Sequence, residues 1–178
     1  MKTWVVLLRG INVGGKNIVA MAALRTALEA AGFEAVRTYI QSGNLTLRSS
    51  ASRAGTAAQI AETVEAHFGV QTTPLVLTPA ELRAAENSNP FPEAAAAPKT
   101  LHVFFLAQTA KRPDTTGIDA ARAASERTKL SGRTFYLHAP DGIARSKLAT
   151  KAEALLGVPA TARNLRTVTK LLEMLDAD

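Results

Sequence analysis

The chain contains no cysteine among its 178 residues. That excludes disulfides, thiolate metal sites and a cysteine nucleophile together, and leaves the redox compartment undefined. Aromatic residues are scarce at 5%, so a base-stacking sheet of the kind used by many RNA-binding domains has little to be built from. Neither Trp4-Val-Val-Leu-Leu8 nor Thr134-Phe-Tyr-Leu-His138 carries its glycine–aromatic signature. No apolar run approaches the roughly 20 residues of a membrane helix, and Trp4–Leu8 is too short for the apolar core of a secretory signal. A cytoplasmic location without membrane contact is the expectation. The histidines His67, His102 and His138 are scattered, and no grouping of histidines and carboxylates has metal-ligand spacing. Ser146, His138 and Asp141 can be written down as a triad, but no nucleophile elbow surrounds Ser146. The residues imply no metal and no cofactor, and whether the chain is an enzyme stays open.

What is present is an ordinary globular composition, 47% hydrophobic and 20% charged. The formal charge is +6, unevenly spread. From Met1 to Leu28 there are four cations and no acid, and from Arg133 to Lys170 there are seven cations against Asp141 and Glu153. These two stretches therefore exceed the net charge of the whole chain, and the remainder is acidic. Such clustering suits an anionic partner, nucleic acid or a nucleotide-like phosphate, as well as a merely solvated surface.

In chain order, the β-branched run Lys2–Leu8 reads as a buried strand stopped at Arg9-Gly10. A glycine-rich loop, Arg9–Asn17, follows. From about Val19 the pattern turns helical, with Met21, Leu24, Leu28 and Ala31 on one stripe and Gly32 as a left-handed stop. Residues 35–40 and 45–48 form a hairpin about Gln41-Ser-Gly-Asn44. A helix from Ala54 to Phe68 and a short edge strand, Pro74–Thr78, complete the order β, α, β, β, α, β of a ferredoxin-like unit. Thr78, Pro79 and Glu81 form a capping box opening a helix to about Glu86.

Residues 87–99, with three prolines, read as a connection between a first subdomain at 1–86 and a second at 100–178. The second half repeats the order: a strand at Leu101–Leu106, a helix near Ile118–Ala124 and a hairpin of Arg127–Leu130 with Thr134–His138. A helix from Ser146 to Leu156, a short strand at Ala160–Arg163 and a last helix capped by Asn164 follow. The expected fold class is α+β, a ferredoxin-like first half with a second, duplicated ferredoxin-like half.

Topology supplies the functional expectation. In this fold the first two strands are parallel, so the chain leaves both at one end of the sheet. The loop at 9–17 and the hairpin tip at 41–44 should be neighbours. Gly10-Ile-Asn-Val-Gly-Gly-Lys16 matches the first seven positions of a phosphate-binding P-loop. Asn17 then stands where a magnesium-binding hydroxyl belongs, and no second acidic strand follows. What remains is a phosphate cradle of glycine-freed amides with Arg9 and Lys16, or glycines that merely permit a tight connection. The candidate edge comprises Arg9, Asn12, Gly14, Gly15, Lys16, Gln41, Ser42 and Asn44. A second set, Arg145, Ser146, Lys147, Arg163, Asn164 and Arg166, places cations and hydroxyls at two helix starts, where free amides also favour an anion. Both starts read equally as ordinary N-caps. Together the two sets suit an anionic ligand or nucleic acid. A small-molecule enzyme acting on a phosphorylated or nucleotide substrate and a protein-interaction module are the alternatives.

Five stretches carry a family resemblance: Leu8–Asn17, Thr38–Asn44, Asn89–Pro92, Tyr136–Lys147 and Thr161–Asn164. On these residues the chain resembles a bacterial family of uncharacterised proteins, domain-of-unknown-function family 1697. It departs from that pattern at Ala144, where glycine is expected, and at Leu165, where tryptophan is frequent and an aromatic that could stack on a ligand is lost. The resemblance implies an α+β fold with ferredoxin-like subdomains and supplies no activity, substrate or cofactor.

Overall fold

A computed structural model of the chain describes residues 1–177. They divide into two units, Met1–Arg83 with the residues from Lys170 onward, and Ala84–Thr169.

The first unit contains β1 (Lys2–Leu7), α1 (Met21–Ala30), β2 (Glu34–Tyr39), β3 (Asn44–Ser49), α2 (Arg53–Phe68) and β4 (Leu75–Leu77). The strands form one sheet in the order β2-β3-β1-β4, with every neighbouring pair antiparallel. Because β1 and β2 both run antiparallel to β3, they are parallel to each other. Alternation along the strands sends Trp4, Val6, Leu45 and Leu47 to the face covered by the helices. They meet Leu24 and Leu28 of α1 and Ile60 and Val64 of α2, the stripes expected from the 3.6-residue period. Gly69, in the left-handed region at φ 63°, ends α2. Glu81 Oε2 accepts from the Thr78 amide at 2.8 Å, and the Thr78 hydroxyl accepts from the Glu81 amide at 3.1 Å. This capping box opens α3 (Pro79–Asn87).

The second unit repeats the plan with β5 (Leu101–Leu106), α4 (Thr115–Ala121), β6 (Arg127–Ser131), β7 (Thr134–His138), α5 (Lys147–Leu156) and β8 (Ala160–Asn164). Its sheet order, β6-β7-β5-β8, matches the first strand for strand. Phe104, Leu106, Phe135 and Leu137 face Ile118, Leu148, Ala152 and Leu156. Both halves are thus ferredoxin-like, and the chain closes with α6 (Leu165–Asp176).

Two element boundaries differ from the sequence reading for physical reasons. α1 starts at Met21 rather than Val19, because Val19 is held by the side chain of Asn12. α4 runs from Thr115 to Ala121 rather than from Ile118 to Ala124. The Asp114 carboxylate caps its start through the Gly117 amide at 2.8 Å, and Glu126 captures the Ala123 amide at 2.9 Å, so the chain turns before Ala124. Within the connection at 87–99, residues Pro92–Ala96 form a single 3₁₀ turn.

Candidate functional site

Strand direction brings the glycine-rich loop and the β2–β3 hairpin to one end of the first sheet. The Leu8 amide donates to the Gly43 carbonyl at 2.8 Å. Gly43 is buried at φ +71°, and a Cβ there would lie 2.7 Å from Leu8 Cβ and 2.9 Å from Ile11 Cδ1. Only glycine lets the tip close on the loop. Asn12 completes the joint: its Nδ2 donates to the Val19 and Gln41 carbonyls, both at 2.8 Å, and its Oδ1 accepts from the Val19 amide at 2.8 Å. One side chain therefore ties the loop both to itself and to the hairpin.

Between these ties the loop is a miniature hairpin. The Asn12 amide donates to the Asn17 carbonyl and the Lys16 amide to the Val13 carbonyl, each at 3.0 Å. Gly14 and Gly15 sit at φ 57° and 74°, the paired positive values of a type I′ turn. Asn17 Nδ2 donates to the Gly10 carbonyl at 2.8 Å. The glycines that resembled a nucleotide loop thus build a protruding β-turn, and α1 begins only at Met21. The Asn12 and Lys16 amides are committed to loop carbonyls, so a P-loop wrapped on a helix start is not formed.

The side chains this edge presents are of two kinds. Lys16, Gln41 and Ser42 are exposed, with Arg9 half-buried beside them. Arg9 is held through its backbone: its amide donates to Thr72 Oγ1 at 3.3 Å and its carbonyl accepts from the same hydroxyl at 2.8 Å. Val13, Ile18 and Ile40 are 66%, 65% and 51% exposed, and with Met1 they are the exposed large hydrophobics of the described residues. Ile40 also holds φ 48°, which a β-branched residue adopts only under strain. Asn44, by contrast, is fully buried and donates to the Tyr39 carbonyl at 3.1 Å. Asn12, Gly14, Gly15 and Asn44 therefore shape the edge, whereas Lys16, Gln41 and Ser42 are exposed on it and Arg9 lines a separate pocket with Ala61, Glu65 and Gln71.

The second set of candidates lies in the second unit. Strand register puts His138 opposite Leu101 and Asn164 opposite His102, so the 139–146 connection and the end of β8 share one end of that sheet. Ser146 is buried, and its Oγ accepts from the Ala149 amide at 3.0 Å as the N-cap of α5. Asn164 Oδ1 accepts from the Thr167 amide at 3.0 Å and caps α6. Arg145, Lys147 and Arg166 are exposed. Arg163 projects from the face opposite Asn164; burial pushes its guanidinium pKa down to about 10, and it donates to the Ala162 carbonyl at 2.8 Å. The connection forms an open cleft of about 490 Å³ lined by Ser125, Glu126, Asp141, Gly142, Arg145 and Ser146 with three alanines. Within it the Ser125 hydroxyl donates to Asp141 Oδ2 at 2.5 Å.

Sequence reasoning passed over two features of this sheet end. Phe91, fixed between two prolines, stacks on His138 with ring centroids 5.8 Å apart, and the Arg127 guanidinium lies 4.7 Å from the Phe91 ring centre. Arg127 also pairs with Glu93 and donates to His138 Nδ1 at 3.2 Å. Burial, then the Arg127 charge, pushes the His138 pKa down, and because a guanidinium only donates, Nδ1 accepts in this bond. The available signal was a large aromatic isolated between prolines in an otherwise alanine-rich segment. Glu126 was missed as well, because a lone glutamate before a strand looks like surface. No group of three or more histidines, cysteines or carboxylates among the described residues could hold a metal ion, and none of their helices is long and apolar enough to cross a membrane.

Comparison with known proteins gives a family and a fold. The family model "Protein of unknown function (DUF1697)" matches residues 1–136, and the chain belongs to that family. A solved structure, described as that of the conserved bacterial protein SP0830 from Streptococcus pneumoniae, is similar over 99% of both chains, with 27% identity and a TM-score of 0.70. No curated protein matches.

Proposed function

We propose that this member of the family is a binding protein whose first unit docks an acidic protein segment on the edge formed by the 9–19 loop and the 40–43 tip. The observation that carries the reading is the exposure of Val13, Ile18 and Ile40 beside Lys16, on backbone fixed by Asn12 and Gly43. Branched aliphatics held out in solvent mark an interaction surface. The surrounding charge selects the partner: Lys16 pairs with Val13 across the loop, and the sequence has no acid between Met1 and Leu28. A two-fold contact of the edge with itself would oppose Lys16 to Lys16, so an acidic partner of different sequence fits better.

Nucleic acid satisfies the charge but not the apolar centre, because no aromatic ring is exposed among these side chains for a base to stack on. A phosphate cradle is disfavoured by the inward commitment of the Asn12 and Lys16 amides. Selection of peptides displayed on phage against the intact protein tests the reading. Binders are expected to combine Asp or Glu with Leu, Ile or Val, and to lose at least about tenfold in affinity with Lys16→Glu or Ile18→Ser. Binders without acidic residues, or binding unchanged in both variants, would overturn it. So would binding of duplex or single-stranded nucleic acid whose salt slope falls by about one on Lys16→Ala.

A further inference from the structure

The cleft of the second unit contains a carboxylate that nothing described so far uses. Glu126 is 3% exposed and is the most deeply buried carboxylate of the described residues. Its Oε2 accepts from the Ala123 amide at 2.9 Å. The other oxygen, Oε1, has no hydrogen-bond or ion-pair partner among the described residues, and Glu126 lines the cleft. A buried carboxylate with an unmet oxygen is costly unless something donates to it.

The opposite charge lines the same cleft. Arg145 lines the same cleft and has no ion-pair partner among the described residues, although Glu126 and Asp141 line it too. Asp141 instead receives the Ser125 hydroxyl. Two carboxylates and a guanidinium thus line one cleft, so it holds both signs of charge. An anion alone would meet Glu126 and Asp141, and a cation alone would meet Arg145. The two carboxylates are too few for a metal centre built from three protein ligands.

We infer that this cleft binds a small zwitterion, an ammonium joined to a carboxylate, of the chemical class of free amino acids. The ammonium donates to Glu126 Oε1 and to Asp141, and the ligand carboxylate lies against Arg145, whose planar fork suits it. The volume of about 490 Å³ lies in the range of small-molecule sites. The inference is independent of the docking edge, since the two sites share no residue.

Titration of the full chain with the standard amino acids, followed by amide chemical shifts and calorimetry, tests the assignment. At least one amino acid is expected to bind saturably, with shifts at Ser125, Glu126, Asp141 and Gly142. Its N-acetyl derivative, lacking the ammonium, and its amide, lacking the carboxylate, should each bind at least about tenfold more weakly. Glu126→Gln keeps an oxygen for the Ala123 amide and should weaken binding by a similar factor. If that variant does not fold, Asp141→Asn and Arg145→Ala, both at exposed positions, carry the same test. Absence of saturable binding by every amino acid would overturn the inference. Equal binding of the N-acetyl or amide form, or undiminished binding by the folded variants, would do so as well.

Discussion

Gly43 lies against Leu8 so closely that the Leu8 amide donates to its carbonyl at 2.8 Å, and a Cβ on Gly43 would fall 2.7 Å from that of Leu8. This contact joins two segments more than thirty residues apart and sets the shape of the candidate edge. Gly43→Ala meets both the close approach and the positive φ, so a loss of about 2–4 kcal/mol is expected. Urea denaturation measures it, and a variant as stable as the parent would show that the joint is looser than described.

Asn12→Ala removes three hydrogen bonds from one side chain and leaves the Gln41 and Val19 groups to water. The site is partly solvated, so a loss of about 1–3 kcal/mol is expected. Amide exchange should accelerate in residues 10–19 and 40–43 while the β1–β3 ladder stays protected.

Ile40 is a left-handed β-branched residue whose side chain is half in water. Ile40→Asn substitutes a residue that tolerates this backbone and gives up little burial. Stability should rise by about 1 kcal/mol, or roughly 2–4 °C in melting temperature. The same variant should bind the acidic peptides more weakly, so that stability and binding move in opposite directions.

His102 and His138 both have pKa values pushed down by burial, with the Arg127 charge adding to the effect at His138. Above the unfolded value of about 6.5 both states are neutral and the histidines carry no pH dependence. As pH falls through 6.5 towards the lower folded values, the unfolded chain takes up protons that the fold resists, and stability is lost. Denaturation midpoints should decline between pH 7 and 5, and His138→Phe should decline less over that interval. An unchanged pH profile in that variant would remove His138 from the account.

Local chemistry made much of the fold legible. The capping box at Thr78 and Glu81, the caps at Ser146 and Asn164 and the left-handed glycine after α2 are contacts within a few residues, so composition and spacing reveal them. Buried stripes such as Leu24 with Leu28 are legible for the same reason, since a helix repeats its face every 3.6 residues. Even the meeting of the 9–17 loop with the 41–44 tip could be expected, because parallel first and second strands must leave a sheet at the same end.

Tertiary structure alone decided what those residues do once they meet. Gly14 and Gly15 fit a phosphate loop and a type I′ turn equally well as letters; the inward bonds of Asn12 and Lys16 select the turn. Asn12 and Asn44 read as ligand-facing polar residues, yet Asn12 is spent on the Gln41 carbonyl of the hairpin tip and Asn44 is buried against the Tyr39 carbonyl of its own hairpin. Ile40 gives no sign in the sequence of being strained and exposed, nor Glu126 of being buried at the wall of a cleft. The physical reason is that burial depends on what distant segments bring against a side chain, and periodicity reports only the neighbours nearby.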